Sequence, residues 1–267
     1  MIPGFNTSRT LCAVPAFLAA ILGAAALAQN PSLPSRDRVY LRDIEGIWVN
    51  EAYLKALTAL RSPHAAAKKT PPVVIALKRE GRAFPIVVTD FNKASVQTVL
   101  DIEPDAKPAS YRLVVGAGDR PMTSEEVKYI YLQGTRNAQG KFERLRIAEI
   151  FLMKGRWADY ILLPGEISPY VNRLVLAGRY KDEKGRGWEF SDSGDARWPD
   201  QKFVYELSLN DPGAGCEYLQ TEDLKEGGGN KHFGYGWKNG KLSIYPARMV
   251  NKKVRCDARP LSVLTPQ

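Results

Sequence analysis

Histidine and cysteine are scarce in this 267-residue chain, which has two histidines and three cysteines. A structural zinc site usually needs four nitrogen or sulfur ligands, and a nucleophilic cysteine needs a base beside it. Because His64 and His232 are too few for either purpose, we expect no metal and no cofactor. The sequence also has no G-x-S-x-G nucleophile elbow and no Gly-rich phosphate loop between a strand and a helix. No catalytic constellation is detectable, and we expect a non-enzymatic protein.

Long apolar runs are also lacking, except at the N-terminus from Leu11 to Leu27. This run is short for a membrane span, follows a single charge at Arg9, and ends at the small-x-small triplet Ala26-Leu27-Ala28. The pattern is typical of a secretory signal peptide over residues 1–28, cleaved after Ala28; a membrane anchor is the alternative. We therefore expect a periplasmic or secreted protein with no transmembrane segment in its mature chain.

Clustered charge is absent too, although the net charge is +9 at pH 7. Cleavage would remove Arg9 and leave +8. The lysines and arginines are spread along the chain among many acidic residues, which favours a generally soluble surface over contact with an anionic surface. Nucleic-acid binding fits neither the compartment nor the lack of a recognisable motif.

Two cysteines, Cys216 and Cys256, remain after cleavage. Two cysteines in an exported chain are most simply a disulfide, which would close a loop of forty residues. In the chain-entropy model such a loop is worth about 4 kcal/mol.

Short apolar segments follow one another from Val73 to Leu163, at intervals of about eight to fifteen residues that are typical of barrels and sandwiches. Several alternate strictly, as in Val96–Ile102, which predicts strands with one buried face. Together with a first strand around Ile44–Val49 they make about eight strands, enough to close a small barrel.

A helical pair is predicted between the first strand and the rest. Asn50 is a good N-cap, and Tyr53, Leu57 and Leu60 share one helical face. Ser62-Pro63 ends this helix and can start a second short one. A pair this small cannot fold alone and must cover apolar surface.

Gly46-Ile47-Trp48, the helical pair through Ala67 and the hairpin-rich run from Val73 to Leu163 together resemble the calycin group, the lipocalins and fatty-acid-binding proteins. The resemblance covers about the first half of the mature chain. It implies a meander barrel with a helical lid, whose interior binds a small ligand near Trp48, Tyr53 and Leu57.

Arg144 and Arg146 lie on the same side of a predicted strand. Inside a barrel they could anchor a carboxylate, similar to the late-strand arginines of fatty-acid-binding proteins, although the Arg-x-Tyr pattern is absent. The alternative is a solvated outer face, which is favoured because arginine is seldom buried unpaired.

The second half is predicted to be another antiparallel β subdomain. Its firmest element is the hairpin at Asn239-Gly240, a type I′ turn signal that pairs Trp237 with Leu242. Gly178-Arg179-Tyr180 repeats the Gly-x-aromatic opening of the first half. Because the halves do not align outside these three residues, chance is favoured over duplication.

The fold class predicted is therefore all-β, with a signal peptide (1–28), a flexible lead-in (29–40), a lipocalin-like meander barrel with a short helical lid (41–164), and a second β subdomain with the disulfide (165–267). The leading functional prediction is a non-enzymatic protein that binds a small amphipathic or apolar ligand. The alternative is an envelope or secreted protein-interaction or inhibitor module with a filled interior. A hydrolase is a distant third, which paired carboxylates in a groove would favour. A large dry cavity would favour the first function, and an aromatic surface patch would favour the second.

Overall fold

A computed structural model describes residues 39–81, 83–116, 128–211, 214–222 and 231–267. The predicted signal peptide and nearly all of the predicted lead-in lie outside these residues. The described chain is all-β with three short α-helices, as the sequence predicts.

The first half forms a closed antiparallel barrel in which each strand pairs with the next and the eighth pairs with the first. The strands are β1 Gly46–Asn50, β2 Val74–Leu77, β3 Phe84–Thr89, β4 Ala94–Pro104, β5 Ser110–Gly116, β6 Lys128–Arg136, β7 Phe142–Ala148 and β8 Trp157–Leu163. Alternating residues on every strand point inwards, so the interior is a mainly aliphatic core.

Both ends of this barrel are held by buried or partly buried acids. At one end a 3₁₀ turn, Leu41–Asp43, precedes β1, and Asp43 pairs with Arg136 at 3.0 Å. At the other end the fully buried carboxylate of Glu149 accepts hydrogen bonds from the backbone N–H groups of Phe151 and Leu152 and of Met153. A buried carboxylate needs such donors, because an unpaired buried charge is very costly.

The second half is a second closed barrel of eight strands, with one further edge strand. Its elements are β9 Gly178–Lys181, β10 Gly187–Phe190, β11 Asp195–Trp198, β12 Gln201–Leu207, β13 Glu217–Glu222, β14 Lys231–Lys238, β15 Lys241–Val250, β16 Lys253–Cys256 and β17 Ser262–Pro266. The pairing of β14 with β15 and the insertion of β17 between β15 and β9 close the ring, and β16 lies outside it on β15. The second subdomain is thus a complete barrel of its own.

The predicted hairpin and disulfide are both present. Asn239 and Gly240 have φ of 53° and 74°, and Trp237 lies opposite Leu242 as the turn type requires. Cys216 and Cys256 form a disulfide with their Cα atoms 6.2 Å apart.

Three helices lie between the barrels: α1 Glu51–Leu60, α2 Pro63–Lys69 and α3 Ile167–Val175. The Asn50 side chain accepts a hydrogen bond from the backbone N–H of Tyr53 at 3.1 Å, and Ser62 accepts one from Ala65 at 3.2 Å, so both predicted caps form. The buried residues of α1 belong to the hydrophobic cluster of the second barrel rather than to the interior of the first. The helical lid therefore lies between the second barrel and the outer face of the first, at Val49, Val74 and Leu163, and does not close the interior of the first barrel. None of the described helices has the length and apolar composition that a membrane crossing requires.

Candidate functional site

The interior of the first barrel is filled by side chains. Trp48, on β1, is buried there, and its indole N–H donates to the backbone carbonyl of Ile44 at 2.8 Å. The cavity left among the interior side chains measures about 20 Å³ and is lined entirely by apolar residues. Ligand sites usually measure several hundred Å³, so this space is about the size of one water molecule.

Tyr53 and Leu57, predicted beside the ligand, are buried in α1 against the second barrel. They are therefore not brought together with Trp48, which belongs to the core of the first barrel. Burial, and secondarily the charge of Glu217, raises the pKa of Tyr53 above the usual range of a tyrosine. Its phenol consequently stays neutral and acts as a packing group.

Arg144 and Arg146 lie on the outer face of β7, where Leu145 and Ile147 between and beside them point into the core. The Arg144 guanidinium is 74% exposed and lies 3.4 Å from Glu51 at the start of α1. Both arginines line an open surface groove of about 580 Å³, together with Lys107, Gln133 and Asp159 among others. The structure thus places them at a surface site and not at an interior carboxylate anchor.

An aromatic surface patch lies on β6 and β8 beside this groove. We call it the aromatic face and define it as Tyr129, Tyr131 and Trp157 with the stacked arginines Arg112 and Arg146. Tyr131 and Trp157 are 38% and 42% exposed, and the rings of Tyr129 and Tyr131 are 6.4 Å apart.

The aromatic face is held in place by its neighbours. The Arg112 guanidinium lies 5.1 Å from the Tyr129 ring centroid and pairs with Glu103 at 2.6 Å, and Arg146 lies 5.8 Å from the Trp157 centroid. Ala148 lies between Tyr131 and Trp157 in register and is buried, so the two rings flank a small side chain. The alternation of β6 indicates that its tyrosines share one side, but it does not tell which side faces solvent.

The second barrel contains a different kind of space at the end away from α3. Its core there is an aromatic cluster in which the Trp198 ring lies 4.8 Å from Phe203 and 4.7 Å from Phe233. A recess of about 500 Å³ opens above this cluster and is lined by Phe203, Phe233 and Thr221, with Lys202 and Lys231 among the polar residues of its rim. No sequence motif marks this recess.

Within the described part of the chain, no three His, Cys, Asp or Glu side chains lie close enough together to hold a metal ion. Comparison of the chain with protein-family models, with curated protein sequences and with solved structures finds no match. The likeness to the calycin group consequently stands on the eight-stranded antiparallel barrel architecture.

Proposed function

We propose that the protein is an exported protein-interaction module of calycin type, and that the aromatic face of the first barrel is where a protein partner docks. The observation that carries this proposal is the pair of exposed rings, Tyr131 and Trp157, on a barrel whose interior has only about 20 Å³ of free space. A filled barrel with an aromatic surface fits the second of the functions that the sequence leaves open.

The residue types of the aromatic face support a protein partner. Tyrosine, tryptophan and arginine are enriched at protein interfaces and supply most of their binding energy. Arg112 is already paired with Glu103, and the nearby groove contains Glu51 and Asp159 besides its basic residues. This mixed charge suits a protein surface better than a uniformly anionic one.

Export is supported by the disulfide as well as by the N-terminal sequence. Disulfides form and persist in oxidising compartments such as the bacterial periplasm and the extracellular space. The Cys216–Cys256 bond of the second barrel therefore fits a periplasmic or secreted location.

The test is affinity capture from the native host followed by titration of the purified partner. A variant with Tyr131→Ala and Trp157→Ala should bind that partner at least about 100-fold more weakly, because interface hot spots each cost about 2 kcal/mol or more on truncation. Val96→Ser is the matched control, since Val96 is 62% exposed on β4 of the same barrel but outside the aromatic face. Equal affinity of the double variant and the control would refute the proposal.

Binding of a small amphipathic ligand is the second candidate, supported by the recess of the second barrel. Phe203 and Phe233 offer an apolar floor, and lysine side chains at the rim offer charge for an anionic head group. Native mass spectrometry of protein purified from its own host should then show a co-purifying small molecule. Phe233→Ala should release it, whereas the double variant of the aromatic face should retain it.

A further inference from the structure

A cluster of polar side chains lies where α2 packs against the second barrel. The carboxylate of Glu217, at the start of β13, accepts a hydrogen bond from the Ser62 hydroxyl and one from the backbone N–H of His64 at 3.0 Å. The backbone N–H of Ala65 lies 3.3 Å from the same carboxylate. These donors hold the side chain of Glu217, which is 13% exposed, in one orientation between β13 and α2.

His64 bridges this carboxylate to a serine hydroxyl. Its Nδ1 lies 3.6 Å from Glu217 Oε2, and its Nε2 lies 3.1 Å from Ser208 Oγ just beyond the end of β12. A carboxylate beside Nδ1 favours the tautomer with the proton on Nδ1, which leaves the Nε2 lone pair to accept from the serine. Only 10% of the His64 side chain is exposed, so the ring is mostly shielded from water.

We propose that Ser208, His64 and Glu217 form a serine-hydrolase triad that cleaves esters with a small uncharged acyl group. The order hydroxyl, imidazole, carboxylate matches the roles of nucleophile, general base and orienting acid, which are recognised by geometry and not by sequence position. The 3.6 Å between His64 Nδ1 and Glu217 Oε2 is longer than a hydrogen bond, and catalytic contacts of this kind are often long in unliganded sites and tighten when substrate binds. This activity is independent of the aromatic face and departs from the non-enzymatic expectation of the sequence.

A recess of suitable size adjoins the serine. It measures about 510 Å³ and is lined by Ser208 and by the apolar side chains of Phe91, Ile167 and Leu209, among others. A volume of a few hundred Å³ holds a small acyl group. The lining also contains the acidic residues Glu206 and Asp211, which disfavour an anionic acyl group by like-charge repulsion.

One polar group in the recess, the side-chain amide of Asn210, can serve the oxyanion. The Tyr218 side chain also lines the recess, but its single hydroxyl proton is donated to Asp211 at 3.1 Å and does not serve the oxyanion. The Asn210 side-chain amide, which donates to the carbonyl of Asp90 at 2.9 Å, has a second N–H on the same nitrogen. Donors of this kind stabilise the negative charge of a tetrahedral intermediate.

The reaction balances with water as the only co-substrate. Ser208 Oγ bonds to the ester carbonyl carbon while its proton passes to His64 Nε2, and the alcohol leaves with that proton as the ester C–O bond breaks. Water then attacks the acyl-serine and gives one proton to His64 Nε2. The bond between Ser208 Oγ and the acyl carbon breaks, Oγ takes that proton, and the acid is released with the triad restored.

The disulfide ties the acid of this cluster to the barrel. Cys216 directly precedes Glu217, and its bond to Cys256 joins the start of β13 to the end of β16. Because His64 comes from the first half of the chain while the other two groups come from the second, the cluster exists only when both halves are folded together.

The experiment uses the full oxidised chain and a fluorophosphonate probe, which reacts covalently with activated serines. We expect one adduct by intact mass, mapped to Ser208 by peptide analysis, and none in Ser208→Ala. Hydrolysis of p-nitrophenyl butyrate should fall by at least about 100-fold in both Ser208→Ala and His64→Gln, the usual contribution of a general base. Ser95→Ala is the matched control, because Ser95 lies on β4 of the first barrel and outside the recess.

Circular dichroism and thermal unfolding of each variant separate loss of chemistry from loss of fold. Glu217→Gln removes the orienting charge and should slow the reaction about 10-fold or more while Ser208 is still labelled at saturating probe. Absence of any adduct on Ser208 in the folded wild-type protein, or equal labelling rates in folded wild type and folded His64→Gln, would overturn the proposal.

Discussion

The two barrels begin in the same way and are completed differently. Trp48, two residues after Gly46, donates to the carbonyl of Ile44 at 2.8 Å, and Tyr180, two residues after Gly178, donates to the carbonyl of Leu176 at 2.6 Å. Both glycines have a positive φ, 143° and 154°, which favours glycine at the start of each barrel. The repeat seen in the sequence therefore extends to a shared hydrogen bond, which three matching residues alone do not reveal.

The interiors differ in chemistry. The core of the first barrel is mostly isoleucine, leucine and valine, whereas that of the second contains Trp188, Phe190, Trp198, Phe203 and Tyr205 in mutual contact. The first barrel closes by pairing its first and last strands, whereas the second places β17 between β9 and β15. The same opening element thus supports two routes to a closed ring.

The largest expected difference between the barrels comes from the disulfide, which only the second contains among the described residues. Replacing both Cys216 and Cys256 with alanine should cost about 4 kcal/mol, since the bond closes a loop of 40 residues. Urea unfolding followed by circular dichroism measures this, and the reduced wild type should show the same loss. A loss below about 1 kcal/mol in both samples would contradict the expectation.

Gly234 tests how closely the second barrel packs against that bond. A Cβ at Gly234 would lie 2.1 Å from Cys256 Sγ, whereas one at Gly236 on the same strand would meet only a Tyr245 ring carbon at 3.9 Å. Gly234→Ala should therefore cost about 3 kcal/mol and Gly236→Ala less than about 1 kcal/mol. In the chain lacking the disulfide the Gly234→Ala penalty should shrink, which a double-mutant cycle measures.

The shared opening element can be weakened separately in each barrel. Tyr180→Phe removes only the hydroxyl that bonds the Leu176 carbonyl and should cost about 1 kcal/mol. Trp48→Phe removes the N–H and part of the core volume and should cost about 2 kcal/mol. Thermal unfolding gives both values, and the reverse order would show that the two aromatic groups do not play equivalent roles.

High pH should destabilise the second barrel, because its core contains several buried tyrosines. Burial raises the pKa of Tyr180 to about 12 and that of Tyr205 and Tyr235 above the usual range as well. The unfolded chain loses these protons from about pH 10, so stability falls as pH rises from 10 towards 12.

Each buried tyrosine can steepen that loss by at most about 1.4 kcal/mol per pH unit. Urea unfolding at pH 9, 10 and 11 should show a shallower decline in Tyr180→Phe. Tyr131→Phe is the control, since Tyr131 is partly exposed on the aromatic face. Equal slopes of unfolding free energy against pH in the wild type and Tyr180→Phe would contradict a contribution from Tyr180.

Local features of the fold could be predicted because each depends on a few neighbouring residues. The caps at Asn50 and Ser62 and the Asn239-Gly240 turn need only short-range chemistry, and strict alternation indicates which side chains share a face. The partners of a face cannot be predicted in this way. The sequence predicts that Tyr53 and Leu57 line the interior of the first barrel, but they pack between its outer face and the second barrel. Amphipathic periodicity shows that a helix has a buried side and not what buries it.

The candidate sites were harder to predict for the same reason. Ser208 and Glu217 are separated from His64 by 144 and 153 residues, so no spacing in the sequence brings them together. The sequence places Arg144 and Arg146 on the same side of a strand, as the structure does. Whether that side faces inwards depends on the register of the whole barrel, which the local sequence does not determine.

The position of α1 has a practical consequence for dissecting the molecule. Tyr53, Leu54 and Leu57 belong by sequence to the first half, but their apolar surface is covered by the second. Cutting the chain after Leu163 would leave that helix bare on one fragment and a gap in the core on the other. Neither fragment should stay monodisperse in solution, so the unit to express is the pair of barrels.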